Sequence, residues 1–197
     1  MTREPRRGRA PVRPRASISA LTVALVLTLS ACGDGRISPA RSTDPGDLDY
    51  TEVASSITDT QMQSTVTING LVPNFPVPEG VDAPDGVEAF VLVDVTLSTG
   101  GEIAATTGPT DFQLQSASGD PLLADPSLDV ALTSATFWPL EELTKGQSQR
   151  GWVAFPLTWD TLDGAVFVMT RPTEAALDNG LALEAAEFQV PLGAETG

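Results

Sequence analysis

The sequence predicts an all-β domain, an antiparallel two-sheet sandwich of about seven strands, and three observations carry that prediction. Beyond Gln61, short runs of β-branched and aromatic residues recur between Gly, Pro, Asn and Asp, the punctuation of an antiparallel β protein. The run Phe90–Leu97 alternates: Val91, Val93, Val95 and Leu97 share one face and Asp94 and Thr96 the other, as in a sheet packed on one side only. Helical periodicity is faint, supporting a single Pro-initiated turn at Pro172 to Leu177.

Thr65–Leu71 gives the first strand, with Val66 and Ile68 inward and Asn69-Gly70 either ending it or carried within it. After Phe90–Leu97, Phe112 and Leu114 alternate with Gln113 and Gln115, and Ser118-Gly119-Asp120 supplies a turn. Further strands are expected at Val130–Phe137, Gln149–Leu157, Ala165–Thr170 and Leu181–Val190. Val153, Phe155 and Leu157 share a face. In the last run Leu181 and Leu183 are out of phase with Ala186, Phe188 and Val190, which a bulge near Glu184 would reconcile. The proline-rich stretch Leu71–Pro78 reads as extended chain, covering a sheet edge or docking a partner.

Composition removes much chemistry. Among 197 residues histidine is absent, and cysteine and lysine occur once each. Intrachain disulfides, Cys/His metal sites and His-based triads are therefore excluded, and no cofactor or metal is expected. Charge is divided unevenly. Residues 1–31 carry six arginines against Glu4, whereas the remainder carries five basic groups against 25 acidic ones. So acidic a body repels polyanions, which excludes nucleic acid as a partner.

The arginine-rich start precedes an uncharged run, Ala16–Ala31, with apolar Leu21–Leu29 at its centre. That order is an export signal: charged region, apolar region, small residues. The apolar run falls short of the roughly 18 residues a spanning helix needs. Gly8-Arg9-Ala10 after Arg6-Arg7 departs from a twin-arginine signal. The closing Leu29-Ser30-Ala31-Cys32 resembles the lipobox of bacterial lipoproteins. That resemblance implies a diacylglyceryl group on Cys32, cleavage before it, and attachment to the extracytoplasmic face of the membrane. Acyl chains hold a protein there because each buried methylene contributes about 0.8 kcal/mol.

From Cys32 to Gln61 the chain is rich in Gly, Pro, Ser, Thr and Asp and lacks apolar periodicity, which reads as a flexible acidic tether. Its acids Asp44, Asp47, Asp49 and Glu52 lack the glycine and terminal Glu spacing of a calcium loop. The expected divisions are a signal peptide at 1–31, a lipidated cysteine and linker at 32–61, a sandwich at 62–192 and a tail at 193–197.

Three blocks in order carry a further resemblance: Val91–Leu97; Asp111–Ser116 with Gly119-Asp120; and Leu143–Phe155 with its glycines Gly146 and Gly151. Together they resemble the telokin-like, immunoglobulin-like domain family of unknown function found in bacterial lipoproteins. The resemblance spans residues 62–192 and implies an immunoglobulin-like sandwich without known catalytic residues. Where that family commonly has Asn after its first core strand, this chain has Ser98-Thr99-Gly100-Gly101.

Candidate binding residues are aromatic. Trp152 alternates away from Val153 and Phe155, facing solvent or a neighbouring loop. Phe137 and Trp138 form an apolar tetrad with Pro139-Leu140 beside Glu141-Glu142, and Phe75 lies in the proline-rich stretch. Asp160 and Asp163 after Trp159 form the carboxylate pair most like a glycosidase wall, although Asp163-Gly164 is also a turn signal. The expectation is a non-catalytic binding or interaction module of the cell envelope, with another envelope protein or ligand as partner. The alternatives are a glycan hydrolase using paired carboxylates, and a structural surface antigen.

Overall fold

The computed structural model describes residues 48–102, 106–116, 120–171, 177 and 179–193. The export segment, the lipobox at Cys32 and the turns expected at Pro172 and at Ser118-Gly119 lie outside the described residues. The strands are β1 (Thr51–Asp59), β2 (Ser64–Pro76), β3 (Ala89–Ser98), β4 (Phe112–Gln115), β5 (Leu122–Leu123), β6 (Ser148–Pro156), β7 (Val166–Arg171) and β8 (Ala186–Pro191), with one short helix, α1 (Asp129–Ser134). They form two four-stranded antiparallel sheets, in the orders β1-β2-β3-β6 and β5-β4-β7-β8. The protein is an all-β sandwich.

The main core fills the space between the sheets. Val91, Val93, Val95 and Leu97 of β3 meet Phe112 and Leu114 of β4, Phe155 of β6 and Phe167 of β7. Phe167 meets Phe112 at a tilt and Phe155 edge-to-face, at centroid separations of 5.2 and 6.3 Å. Strand β2 runs through Asn69-Gly70, and a register shift between Ile68 and Gly70 turns Leu71 inward where unbroken alternation would turn it out.

Four expectations need correction. The span assigned to the tether contains β1, which pairs with β2 from Thr51↔Leu71 to Asp59↔Ser64, so the sandwich begins before residue 62. Its polar, Ser/Thr-rich outward face hid it; only Ile57 and Asp59 within it are buried. Val130–Phe137 is largely helix, not strand. Asp125 accepts a hydrogen bond from the Ser127 amide, Pro126 opens a short 3-10 turn, and Leu128 and Leu132, four apart, are both buried. Spacing of four outweighs the β-branched Val130, which is 80% exposed. No bulge occurs near Glu184: β8 pairs with β7 in continuous register from Ala186, and Leu181 and Leu183 precede the strand. Finally, the first sheet is covered on both faces.

That second covering positions everything that follows. On the face of β3 away from the main core, Phe90 and Leu92 pack with Val72, Leu128, Leu132, Trp152 and Ala154 in a second apolar cluster. The proline-rich stretch contributes to it: Phe75 lies in β2, beyond the reach of β1, where Pro73 and Pro76 occupy the free edge.

Beside this cluster the same face holds Asp94, fully buried. Arg150 donates to it from Nε at 2.9 Å and from a terminal guanidinium nitrogen. Tyr50 donates from its hydroxyl at 3.2 Å, and Asn69, the extra residue of the β2 bulge, from its amide at 3.2 Å. Arg150 caps the carboxylate from the solvent side, with 44% of its side chain exposed. Breaking a buried pair by removing one partner leaves an uncompensated charge.

Replacing Arg150→Met should therefore lower stability by about 3 kcal/mol, measured by chemical denaturation. Alkali should act at Tyr50. Burial, reinforced by the Asp94 carboxylate and the bond to it, pushes its hydroxyl up to about 12 from 10.0. The folded state then holds this proton more tightly than the unfolded chain, so the contribution is complete below the unfolded value and lost as pH rises through the folded one. Between these limits wild type should lose stability faster than Tyr50→Phe, as denaturation midpoints across that window would show.

Candidate functional site

Strand β6 is the outer strand of the first sheet, and its outward amide groups would form an open edge. Two segments close it. The Trp152 N–H donates to the Trp138 carbonyl and its own carbonyl accepts from Leu140 N–H, both at 2.9 Å, so residues 138–140 lie along the strand in parallel sense. Two residues on, the Ala154 carbonyl accepts from Asp125 N–H at 2.9 Å. The alternation that turns the Trp152 amide outward turns the Ala154 N–H the same way.

Gly151 permits the first closure. A Cβ there would sit 2.6 Å from the Leu140 nitrogen and 2.7 Å from its Cα, so any larger residue pushes the segment off the strand. Further along, Thr107 and Leu143 exchange backbone hydrogen bonds of 3.0 and 2.8 Å, and Asp111 accepts from Gly108 N–H at 3.0 Å. Residues 141–143 are thus fixed against the 3-10 turn at Pro109–Asp111.

Between these segments opens a cavity of about 520 Å³. Its apolar lining includes Trp138, Trp152, Leu140 and Ala154. Four carboxylate residues border it as well: Asp125, Asp129, Glu141 and Glu142. Among the described residues no lysine or arginine does. Burial, with the neighbouring Asp125 charge adding to it, pushes the Asp129 carboxyl up to about 6 from 3.8. Trp152 is 1% exposed, and its Nε1 is the one buried side-chain nitrogen or oxygen among the described residues without a hydrogen-bond partner.

The structure sorts the expected residues into two groups. Trp138, half-buried, and Trp152 line the cavity. Phe75 and Phe137 do not; they continue an edge-to-face series, Tyr50 to Trp152 at 6.1 Å, Trp152 to Phe137 at 5.6 Å and Phe137 to Phe75 at 6.5 Å, that packs the second cluster. Of the two placements expected for Trp152, facing solvent or packing on a neighbouring segment, the structure has the second, because α1 and the chain leading into it cover this face. Asp160 borders a different cavity of about 350 Å³, which Asp163 does not line. The Asp163 N–H binds Thr161 Oγ1 at 3.1 Å, and Gly164 takes φ +70°, a turn conformation. Cys32 lies outside the described residues. Among the described residues no group of His, Cys, Asp or Glu could hold a metal ion.

Asp125 and Asp129 precede the segment read as strand, Val130–Phe137, and were not singled out; the Asp-Pro pair, a helix-start pattern, was the available signal. Comparison with protein-family models, with curated proteins and with solved structures finds no match for this chain.

Two variants test this site. Gly151→Ala should cost about 1–3 kcal/mol, the scale of overpacking, and should speed hydrogen exchange at Leu140 N–H. Asp129→Asn should stabilise the domain near neutral pH and have no effect near pH 3. The sign follows from a folded carboxyl held above its unfolded value: the penalty of ionisation is absent below the unfolded value and grows as pH rises through about 6. Thermal melts at the two pH values measure it.

Proposed function

We propose that this protein is a lipid-anchored lipoprotein of the bacterial cell envelope, its sandwich a non-catalytic binding module of the telokin-like, immunoglobulin-like type. The anchor half of the reading rests on the arginine-rich leader and on Leu29-Ser30-Ala31-Cys32, which contains the chain's only cysteine. The family half rests on the three sequence blocks, whose strand residues fall in β3, in β4 and in β6 with the turn before it. Folds of this kind host unrelated functions, so the binding half must stand on the site.

The single observation that carries it is the cavity at the β6 edge, a tryptophan-walled hollow of the size that takes small ligands. Its walls are positioned by backbone hydrogen bonds to a sheet strand and are therefore formed before any ligand arrives. A binding module on a lipid tether would present that hollow at the outer side of the membrane.

The anchor is tested by Cys32→Ala in the producing cell. Wild type should sediment with membranes and run as a processed, acylated chain; the variant should accumulate unprocessed or leave the membrane fraction. A variant processed and retained like wild type overturns the lipoprotein assignment.

A further inference from the structure

We infer that the β6-edge cavity binds a small organic cation: an apolar body bearing an amine or quaternary ammonium group. The inference rests on the binding reading above and assigns its ligand class.

Three observations on separate residues lead to it. The cavity is mainly apolar, so its occupant has an apolar body to replace the water there. Among the described residues four carboxylates border it and no cationic side chain does, so the charge complement comes from the ligand. Asp125 and Asp129 border it from the α1 side and Glu141 and Glu142 from the opposite segment, so acids flank the apolar wall from two sides. Trp138 adds an aromatic surface of the kind that attracts cations best.

An inorganic cation fits poorly: it offers no apolar surface, and among the described residues no group of His, Cys, Asp or Glu could hold one.

The test uses three matched probes on the purified, folded protein: N-(2-dimethylaminoethyl)benzamide, its neutral isostere N-isopentylbenzamide, and the anion N-benzoyl-β-alanine. All three have an aromatic body and an amide carbonyl and differ in charge. Binding is read by calorimetry and by the indole N–H resonances of the three tryptophans, Trp159 acting as the remote control with its N–H already given to the Asp120 carbonyl.

The cation should bind at least about tenfold more tightly than the neutral isostere, the scale of a hydrogen bond to a charged group, while the anion should not bind. The Trp138 indole resonance should move and that of Trp159 should stay. In Asp125→Asn/Asp129→Asn, where Asn preserves the cap on Ser127, the preference should shrink toward parity with the isostere. Equal binding of cation and isostere, or tighter binding of the anion, overturns the cation assignment while leaving the cavity a binding site. If no probe binds and no indole resonance moves, the cavity reading falls with it.

Discussion

A carboxylate at the middle of a strand buried on both faces is a severe constraint, and Asp94 imposes it on this sandwich. Burying an unpaired charge costs far more than a domain's whole margin of stability, so the surroundings must be arranged to answer it. The bulge in β2 swings Asn69 toward the carboxylate, Arg150 reaches along the sheet from β6, and Tyr50 lies over Gly70, whose missing side chain leaves room for the ring. Tyr50 then meets the edge of Trp152. The indole that walls the cavity is thus held in place through a ring whose own hydroxyl answers a buried charge.

A second ionic contact works at the opposite face of the same sheet. Asp59, at the end of β1, and Arg171, at the end of β7, are both buried, and Arg171 Nη1 lies 2.7 Å from each carboxylate oxygen. Arg171 also donates to the Glu184 carbonyl at 2.7 Å and lies 5.8 Å from the centre of the Phe188 ring. The two sheets are thereby joined by a directional contact as well as by apolar packing. Register slippage of β1, whose outward face offers no apolar pattern to resist it, would break this contact.

The sequence made the inner layer of the sandwich legible because period-two alternation is strong wherever one face meets the core, as in β3, β4 and β6. It concealed what depends on the second face. Leu92 and Phe90 fall on the side that alternation assigns to solvent, and only α1 shows why they are apolar. The helix itself was masked by Val130, Thr133 and Phe137, residues that favour strands, although the paired Leu128 and Leu132 carried the helical spacing. β1 escaped notice because a polar strand with a bulge, where Ala54 takes φ +54°, has the composition of a linker. Two of the four aromatic candidates reached the cavity, Trp138 and Trp152. The acids across from them could not be found without the fold, since carboxylates are common throughout so acidic a chain.

The segment at residues 138–140 does two jobs with one set of hydrogen bonds. It is a wall of the cavity, and it also occupies amide groups of β6 that would otherwise be free to recruit a strand from another molecule. A change that loosens it would therefore announce itself as self-association and loss of solubility as well as a change in the shape of the cavity. A molecule seated in the cavity would in turn hold the cover on the strand. The shape of the cavity and the closure of the sheet edge thus rest on the same few backbone hydrogen bonds.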